Sequence, residues 1–342
     1  MILTIIYFVF ILGVTVFIHE LGHFMFAKKA GVYVYEFSIG MGPKLFKFNR
    51  KNDETDYCVR LLPIGGYVQM AGEEVEVDEN VPVDKRLQSK KWYQRFLIMV
   101  AGVMMNFILA IVVLFIVALV KGVTLDSRYI QNSSVKGLND GDKIVSINGR
   151  GINNYDKLAL ELTVVGDKDF KMKVKHENGE YATVKISPEA VYEDDELLGY
   201  NYGFELTGKH ERNIIVAIRY AFRKFFSLIE QMFFTIIYLI TGSLSIKMLS
   251  GPVGIFNVVG TASSSGFMTI LSLLALISVN VGFINLLPIP AFDGGHVLFL
   301  IIEKIKGSPV NQKIENTIHT VFLALLMVLM VYITFNDILK LF

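Results

Sequence analysis

Four long apolar runs alternate with polar segments along the chain, and they cover residues 1–27, 96–120, 267–287 and about 317–335. An α-helix rises about 1.5 Å per residue, so about 20 apolar residues cross a hydrocarbon core that is about 30 Å thick. We therefore interpret each run as a transmembrane helix. The alternative for the first run is a cleaved signal peptide, but that run lacks a basic start and no small-residue cleavage site follows it.

The polar segment of residues 28–95 is rich in Lys and Arg, which places it on the cytoplasmic side and the N-terminus outside. Within it, Val32–Phe48 and Tyr57–Met70 have the composition of strands and contain Gly and Pro turns. These strands are unusually apolar for a loop. They predict either a re-entrant β segment beside the first helix or a plain cytoplasmic hairpin, and the residues alone do not choose between the two.

The segment of residues 121–210 is the soluble part of the chain. Strands are predicted where apolar and polar residues alternate, at Lys143–Asn148, Phe170–His176 and Tyr181–Ile186, and Leu158–Val165 has the pattern of a helix. A segment of roughly 85–90 residues is large enough for a small core of its own. If the second transmembrane helix runs from inside to outside, this α+β domain is extracytoplasmic.

The charged residues of segment 211–241 are spaced to share one face of a helix: Arg212, Arg219, Arg223 and Glu230. Most other positions are Ile, Phe, Leu, Val or Tyr, so the segment predicts an amphipathic helix that lies on the membrane or against other helices. The alternative is a short additional span over about 225–241, which would carry Glu230 and Gln231 into the membrane.

Composition supports the membrane interpretation. Of the 342 residues, 53% are hydrophobic and 19% are charged, and the mean hydropathy is +0.48. These values are typical of a multi-span membrane protein with some soluble mass, in contact with membrane lipid. The net charge of +1 gives no electrostatic basis for binding nucleic acid. Because Cys58 is the only cysteine, no intrachain disulfide is possible and any zinc ion takes His and carboxylate ligands.

The strongest chemical signal is the sequence His19-Glu20-Leu21-Gly22-His23, near the end of the first apolar run. On a helix, His19 and His23 lie one turn apart on the same face, so both imidazoles can reach one metal ion. Glu20 lies about 100° around the helix, where a general base for a water molecule belongs. Three ionisable groups in an apolar segment of membrane length are costly, and they require a functional explanation.

A zinc ion with two histidine ligands needs a third protein ligand. The downstream candidates are Asp293, His296, Glu303, Glu315 and His319. Two prolines and a Gly pair predict a break in the backbone just after the run 267–287. If segment 211–241 does not span the membrane, Asp293 arrives at the depth of His19 and His23; otherwise it lies on the order of 20 Å or more away. The non-spanning interpretation favours Asp293, and the candidates in or beyond the following polar loop fit less well.

Several further elements occur in a fixed order over nearly the whole chain: FIHELGH (17–23), FSIGMGP (37–43), PIGGYVQM (63–70), KKWYQRF (90–96), AGVMMNF (101–107), GPVGI (251–255) and NLLPIPAFDGGH (285–296). With these elements the chain resembles the site-2 protease family of intramembrane zinc metalloproteases, particularly the bacterial regulator-of-sigma-factor type. The stretch 135–149 resembles a PDZ domain, which this family usually carries.

The resemblance implies a zinc metalloendopeptidase in which His19, His23 and Asp293 hold Zn²⁺ and Glu20 is catalytic. It implies that Asn285 contacts the substrate backbone, and the other residues assigned to substrate binding are Asn106, Gly40 and Gly42. The implied substrates are transmembrane segments of single-span membrane proteins, such as anti-sigma factors or signal-peptide remnants, cleaved in regulated intramembrane proteolysis. The implied location is the cell membrane.

Two features depart from the family pattern. The chain has room for one PDZ domain where some relatives carry two, and Val103 stands where the family has a proline. The alternative function is a non-catalytic PDZ membrane scaffold with a vestigial metal motif, but the intact Glu20 and Asp293 argue against it. A soluble-type zinc protease anchored by one helix is also disfavoured, because the motif lies within the span itself.

These features predict a polytopic α-helical membrane protein with four transmembrane helices, a re-entrant β segment and one extracytoplasmic PDZ-like α+β domain. Residues 1–120 would contain the first two transmembrane helices, the β loop and the HExxH motif, and residues 121–210 the PDZ-like domain. Residues 211–266 would form the amphipathic membrane-associated helix and its connector. Residues 267–342 would contain the last two transmembrane helices and the NxxPxPxxDG motif.

Overall fold

The computed structural model describes residues 1–51, 53–73, 79–193 and 196–340. The chain divides into two compact units, which are described separately below. Unit 1 comprises Met1–Val113 and Lys247–Phe342, and unit 2 comprises Leu114–Ile246.

The helices of the described residues are α1 (Ile2–Lys29), α2 (Trp92–Lys121), α3 (Tyr155–Val165), α4 (Ile214–Ile240), α5 (Pro252–Ser264), α6 (Phe267–Leu286), α7 (Asp293–Lys306) and α8 (Gln312–Leu339). Four of them, α1, α2, α6 and α8, are long and apolar enough to cross a membrane. They confirm the four predicted apolar spans. Helix α4 is not one of these four, although it is 27 residues long.

A β-sheet lies beside α1 in unit 1. Its strands β1 (Val34–Asn49) and β2 (Asp56–Met70) are antiparallel and confirm the two strands predicted from the sequence. Both strands double back, so the pairing gives four adjacent segments in the order 66–70, 34–39, 56–59 and 46–49. The Phe24 ring of α1 packs against Phe37 of β1, with ring centroids 4.9 Å apart. The segment 66–70 is therefore an edge of this sheet.

Glu36 is a buried charge within this sheet. Its carboxylate accepts hydrogen bonds from Lys44 Nζ at 2.6 Å, Arg60 Nη2 at 2.7 Å and the Tyr67 hydroxyl at 2.8 Å. Burial acts to raise the pKa of Glu36, but these three donors outweigh it and lower the pKa to about 2. Glu36 is therefore ionised at neutral pH and ties the two strands together.

Unit 2 contains the strands β3 (Val123–Gln131), β4 (Lys143–Ile147), β5 (Arg150–Gly151), β6 (Phe170–Lys175), β7 (Tyr181–Ile186), β8 (Glu189–Glu193), β9 (Glu196–Asn201) and β10 (Glu205–Glu211). The main sheet has the order β10-β3-β4-β6-β7, with β5 paired to β4, while β8 and β9 pair separately. Its core includes Ile130, Ile144 and Met172, and α3 contributes Leu158. The three strands and the helix predicted for this segment are confirmed.

A polar junction joins α3 to α4 within unit 2. The carboxylate of Asp156 accepts from Lys224 Nζ at 2.5 Å and from Ser227 Oγ at 2.5 Å. The buried Glu161 accepts from the Tyr238 hydroxyl and pairs with Arg150. The following large apolar side chains of α4 are exposed: Ile214, Ile215, Ile218, Phe222, Phe226, Phe233 and Ile240. Helix α4 is thus amphipathic within unit 2.

The predicted charged stripe of α4 is correct except at its first residue. Arg212 lies before the helix, because the Asn213 side chain caps the first turn by accepting from the Ile215 amide at 2.8 Å. Arg219, Arg223 and Glu230 lie within α4.

The backbone breaks between Leu286, the last residue of α6, and Asp293, the first residue of α7. This confirms the break expected from the prolines, but the expectation that the Gly pair belongs to the break is wrong. Gly294 and Gly295 lie in the first turn of α7, where their missing side chains allow a close approach. A Cβ atom would lie 2.5 Å from Leu286 O on Gly294 and 2.5 Å from Pro290 Cα on Gly295.

Helix α5 was not predicted, and a carboxylate from α8 holds its N-terminus. The buried Asp337 accepts from the backbone amides of Gly251 at 2.7 Å and Gly254 at 2.8 Å. A negative charge at this position also complements the helix dipole. Helix α5 packs in turn on α1, where Phe256 meets Phe8 edge to face with ring centroids 5.5 Å apart.

Candidate active site

Helix α1 places His19 and His23 on its buried face. The two residues are 8% and 7% exposed, and their Nε2 atoms lie 3.2 Å apart. The same face carries Gly22, where a Cβ would meet the backbone oxygen of Ala101 in α2 at 2.5 Å. The small residue in the motif thus lets α2 approach the two histidines closely.

Asp293 reaches the same point from the start of α7. Its Oδ2 atom lies 3.1 Å from His19 Nε2 and 3.3 Å from His23 Nε2. The break after α6 and the glycine contacts described above turn the chain so that this carboxylate faces α1. Among the described residues, these three form the one cluster of His, Cys, Asp or Glu ligand atoms that could hold a metal ion, with all three atoms within 4.8 Å of one another.

The donor set fits a zinc ion. Two imidazole nitrogens and one carboxylate oxygen are borderline ligands of the kind that catalytic zinc sites use, with a fourth position left open. Asp293 Oδ2 is buried and makes no hydrogen bond with any described residue, although two ring nitrogens lie nearby. Buried polar atoms are normally satisfied, so an Oδ2 atom without a hydrogen-bond partner fits a position where it would bind a cation together with the two ring nitrogens.

Helix α2 packs directly against His19 and His23. His23 Nδ1 donates to the backbone oxygen of Ile98 at 2.8 Å, and the Asn106 amide lies 3.3 Å from His19 Nδ1. Between them lies Gly102, where a Cβ would press against His23 Nε2 and lie 2.7 Å from His19 Cε1. No side chain larger than hydrogen fits at residue 102 while the two rings keep these positions.

Glu20 faces a cavity of about 340 Å³ beside the cluster. Its carboxylate makes no hydrogen bond or ion pair with any residue that the structure describes. The cavity is lined by Val16, His19, Glu20, Met41, Gly65, Gly66, Val281, Asn285, Ala291, Phe292, Asp293, His296 and His319. The cavity therefore brings together the Glu20 carboxylate, two members of the cluster, His19 and Asp293, and the Asn285 amide from the end of α6.

The structure brings only one of the predicted substrate-binding residues to this cavity. Asn285 lines it, whereas Asn106 is fully buried against His19, and Gly40 and Gly42 are not among the lining residues. Met41, between the two glycines, takes their place.

Sequence reasoning missed several residues of the cavity wall. A Cβ on Gly66 would lie 3.2 Å from Glu20 Cγ and 2.7 Å from Ser38 O, so glycine allows the edge segment 66–70 to pass beside Glu20. The paired glycines at residues 65 and 66 were a usable signal for a close approach. His319 was a candidate ligand in the sequence, but its place on the cavity wall could not be predicted, because nothing in the sequence relates α8 to α1.

The alternative third ligands have other neighbours. His296 Nδ1 lies 3.2 Å from Glu315 Oε1, and Glu303 pairs with Arg95. His319 lines the cavity with its ring centroid 5.4 Å from that of His296, and its Nδ1 atom is buried without a hydrogen-bond partner among the described residues. Of the five candidates, Asp293 is the one in contact with both motif histidines.

Comparison with known proteins agrees with this geometry. The family model described as Peptidase family M50 matches residues 7–329. The chain is 33% identical to zinc metalloprotease RasP of Shouchella clausii and 30% identical to regulator of sigma-W protease RasP of Bacillus subtilis, over 99% of both chains in each case. It is 37% identical to a putative zinc metalloprotease of Fusobacterium nucleatum, over 98% of both chains.

The family match covers most of the chain and includes both halves of the candidate site. The relatives align over nearly their full length, so the likeness extends beyond the metal motif. With its four apolar helices, the protein is a multi-pass membrane protein whose family implies a zinc cofactor. The chain belongs to peptidase family M50 and is a zinc metalloprotease.

Proposed function

We propose that this protein is an intramembrane endopeptidase that cleaves transmembrane segments of single-span membrane proteins at the site formed by His19, Glu20, His23 and Asp293. The observation that carries the proposal is the convergence of Asp293 Oδ2 on both motif histidines, which belong to a helix of membrane-crossing length. A relative bears the name regulator of sigma-W protease. That name supports anti-sigma factors as substrates in regulated intramembrane proteolysis; signal-peptide remnants are a second substrate class.

The chemistry assigns a role to each side chain. Zinc, when bound by His19, His23 and Asp293, supplies Lewis acidity toward water and the peptide carbonyl. Glu20 faces the cavity without a competing partner, so its carboxylate takes a proton from the attacking water and returns it to the leaving amine. Asn285 lies at the same cavity and orients the substrate backbone by hydrogen bonds.

Substrate binding uses the edge of the β-sheet in this proposal. A transmembrane helix hides its carbonyl groups in its own hydrogen bonds, so the scissile segment must unwind before attack. The edge segment 66–70 passes beside Glu20 at Gly66 and has one unpaired side among the described strands. An unwound substrate segment can pair there by strand addition. This role favours the re-entrant placement of β1 and β2 over a plain cytoplasmic hairpin.

The remaining regions fit the same proposal. The Lys- and Arg-rich segment 28–95 is cytoplasmic, and residues 121–210 form an extracytoplasmic PDZ-like domain that filters substrates. The antiparallel sheet with one covering helix supports the PDZ-like assignment. The exposed apolar side chains of α4 support its role as a membrane-associated helix in region 211–266.

The test is cleavage of a single-span membrane reporter by the purified full chain in liposomes. Glu20→Gln should keep stoichiometric zinc and lose about 10²–10⁴-fold in cleavage rate, because the amide cannot accept a proton. Mass spectrometry of the products should locate the cut within the transmembrane segment. The matched control is Glu79→Gln, the same change at an exposed residue, which should alter neither zinc content nor rate.

Two outcomes would contradict the proposal. A fully active Glu20→Gln protein would remove the base from the mechanism, and cuts confined to the soluble part of the reporter would remove the intramembrane substrate. A purified wild-type chain without zinc would instead favour the scaffold function.

A further inference from the structure

We propose that helix α2 is the orienting wall of the metal site and that Asn106 is a positioning residue for His19, accepting a hydrogen bond from its Nδ1–H. The inference rests on the proposed zinc ligands. Three residues of α2 are spaced four apart and therefore lie on one face of the helix: Ile98, Gly102 and Asn106. Each of them touches the histidine pair.

Ile98 shows how this wall fixes a tautomer. Its backbone oxygen can only accept, so the 2.8 Å contact requires His23 Nδ1 to carry the proton. The other ring nitrogen, Nε2, then has its lone pair free and faces Asp293 and His19. Histidine ligands of metals usually donate their second N–H to such a partner, which holds the ring in place.

Asn106 faces the Nδ1 atom of His19, as the Ile98 oxygen faces that of His23. Its Nδ2 atom is placed 3.3 Å from His19 Nδ1, while its Oδ1 atom is buried without a hydrogen-bond partner among the described residues. The two amide atoms differ little in shape, and their assignment follows from the hydrogen bonds they make. Turning the amide by 180° satisfies Oδ1 through the His19 Nδ1–H, so both histidines take the same tautomer and direct Nε2 at the metal.

The surroundings hold Asn106 at this position. Asn106 is 0% exposed, and its backbone oxygen accepts from the Ser278 hydroxyl of α6 at 2.9 Å. A Cβ on Gly282 would lie 3.5 Å from Asn106 Cβ, so α6 packs closely on this turn. Asn106 therefore belongs to the support of the ligands, and it is separate from the cavity that receives the substrate.

The test measures zinc affinity of the detergent-purified full chain by competition with a chromophoric chelator. Asn106→Asp keeps two acceptor oxygens and removes the donor, so it should bind zinc at least as tightly as the wild type. Asn106→Leu removes the acceptor at similar volume and should weaken zinc binding about 10–100-fold. The visible spectrum of the Co²⁺-loaded protein should change in Asn106→Leu and remain that of the wild type in Asn106→Asp.

Asn280→Leu is the matched control, because it makes the same change at an asparagine of α6 whose Oδ1 atom is also buried without a hydrogen-bond partner among the described residues. It should leave zinc affinity unchanged. Equal losses of zinc affinity in Asn106→Asp and Asn106→Leu would show that the amide donor or the packing matters, and would overturn the inference. Zinc affinity at the wild-type level in Asn106→Leu would also overturn it. A wild-type chain that binds no zinc would overturn the proposed metal site itself, which distinguishes the two failures.

Discussion

Two aspartates, one in each unit, face histidines in different ways. In unit 2, Asp142 is 1% exposed. Its Oδ1 lies 2.6 Å from His176 Nδ1, and its Oδ2 accepts from the backbone N–H of Asn139 at 2.8 Å. In unit 1, Asp293 Oδ2 faces His19 and His23 and makes no hydrogen bond with any residue that the structure describes. Both oxygens of Asp142 have partners in the protein, whereas this oxygen of Asp293 does not. The residue type is the same, so the difference lies in the partners: an acceptor oxygen without a donor among the described residues fits the zinc site proposed above.

The α3–α4 junction strengthens this contrast. Asp156 and Glu161 are as buried as the histidine pair, yet each of their carboxylate oxygens has a donor within the protein. Buried ionisable groups are thus not sufficient to identify a functional site. A closed network indicates a structural role, and convergent acceptors without donors indicate a cation.

The largest expected effect comes from applying one chemical change to both aspartates. Asp293→Asn removes the anionic ligand and should weaken zinc binding by more than about 100-fold, with a matching loss of cleavage. Asp142→Asn keeps one acceptor for the turn and should retain one zinc per chain. Metal analysis of the purified full-length proteins measures both. Equal zinc contents in the two variants would show that Asp293 and Asp142 do not differ in their contribution to metal binding.

A second expected effect concerns the space beside the histidines. Gly102→Ala places a Cβ against both imidazole rings and should displace them, with a loss of about 100-fold in cleavage rate and weaker zinc binding. Gly260→Ala is the matched control in α5, where the nearest atom to a Cβ is Thr4 Cγ2 at 3.5 Å, an ordinary contact. A Gly102→Ala protein with unchanged zinc affinity would show that the rings do not need this wall.

The smallest expected effect tests the closed network. Asp156→Ala removes the acceptor of Lys224 and Ser227 and should lower the free energy of opening of α3 by about 1.5–3 kcal/mol, the range for hydrogen bonds to a charged group. Hydrogen exchange of peptides from residues 155–165 in the full chain measures this opening. Zinc content should stay constant. A loss of zinc in Asp156→Ala would contradict a purely structural role for this cluster.

Much of the fold could be predicted because its signals are local. Apolar length identified α1, α2, α6 and α8, and the strand-like patterns identified β1, β2, β4, β6 and β7. The strands β3 and β10 of the main sheet and the pair β8–β9 were not predicted. The helices α5 and α7 were not predicted, because both are short and adjoin Gly and Pro residues, which are typical of loops. Arg212 was assigned to α4 because charge spacing does not reveal the cap at Asn213.

Residues of the candidate site could be predicted only where a sequence motif or the membrane topology identified them. The HExxH spacing and the membrane-depth argument pointed to His19, His23 and Asp293. Asn106 and His319 were predicted as site residues but in other roles, and Met41 was not predicted. All three reach the site from elements whose packing the sequence does not encode locally. Tertiary proximity, rather than propensity, determines their positions.

The contact of Asp337 with the start of α5 has a practical consequence for anyone who shortens or tags this chain. Asp337 lies three residues from the end of the described chain, yet it anchors α5, which packs on the helix that carries the metal motif. A deletion that reaches residue 337 would remove the two acceptor contacts at Gly251 and Gly254 and loosen α5 against α1. Affinity tags are better separated from the C-terminus by a linker than substituted for its last turn.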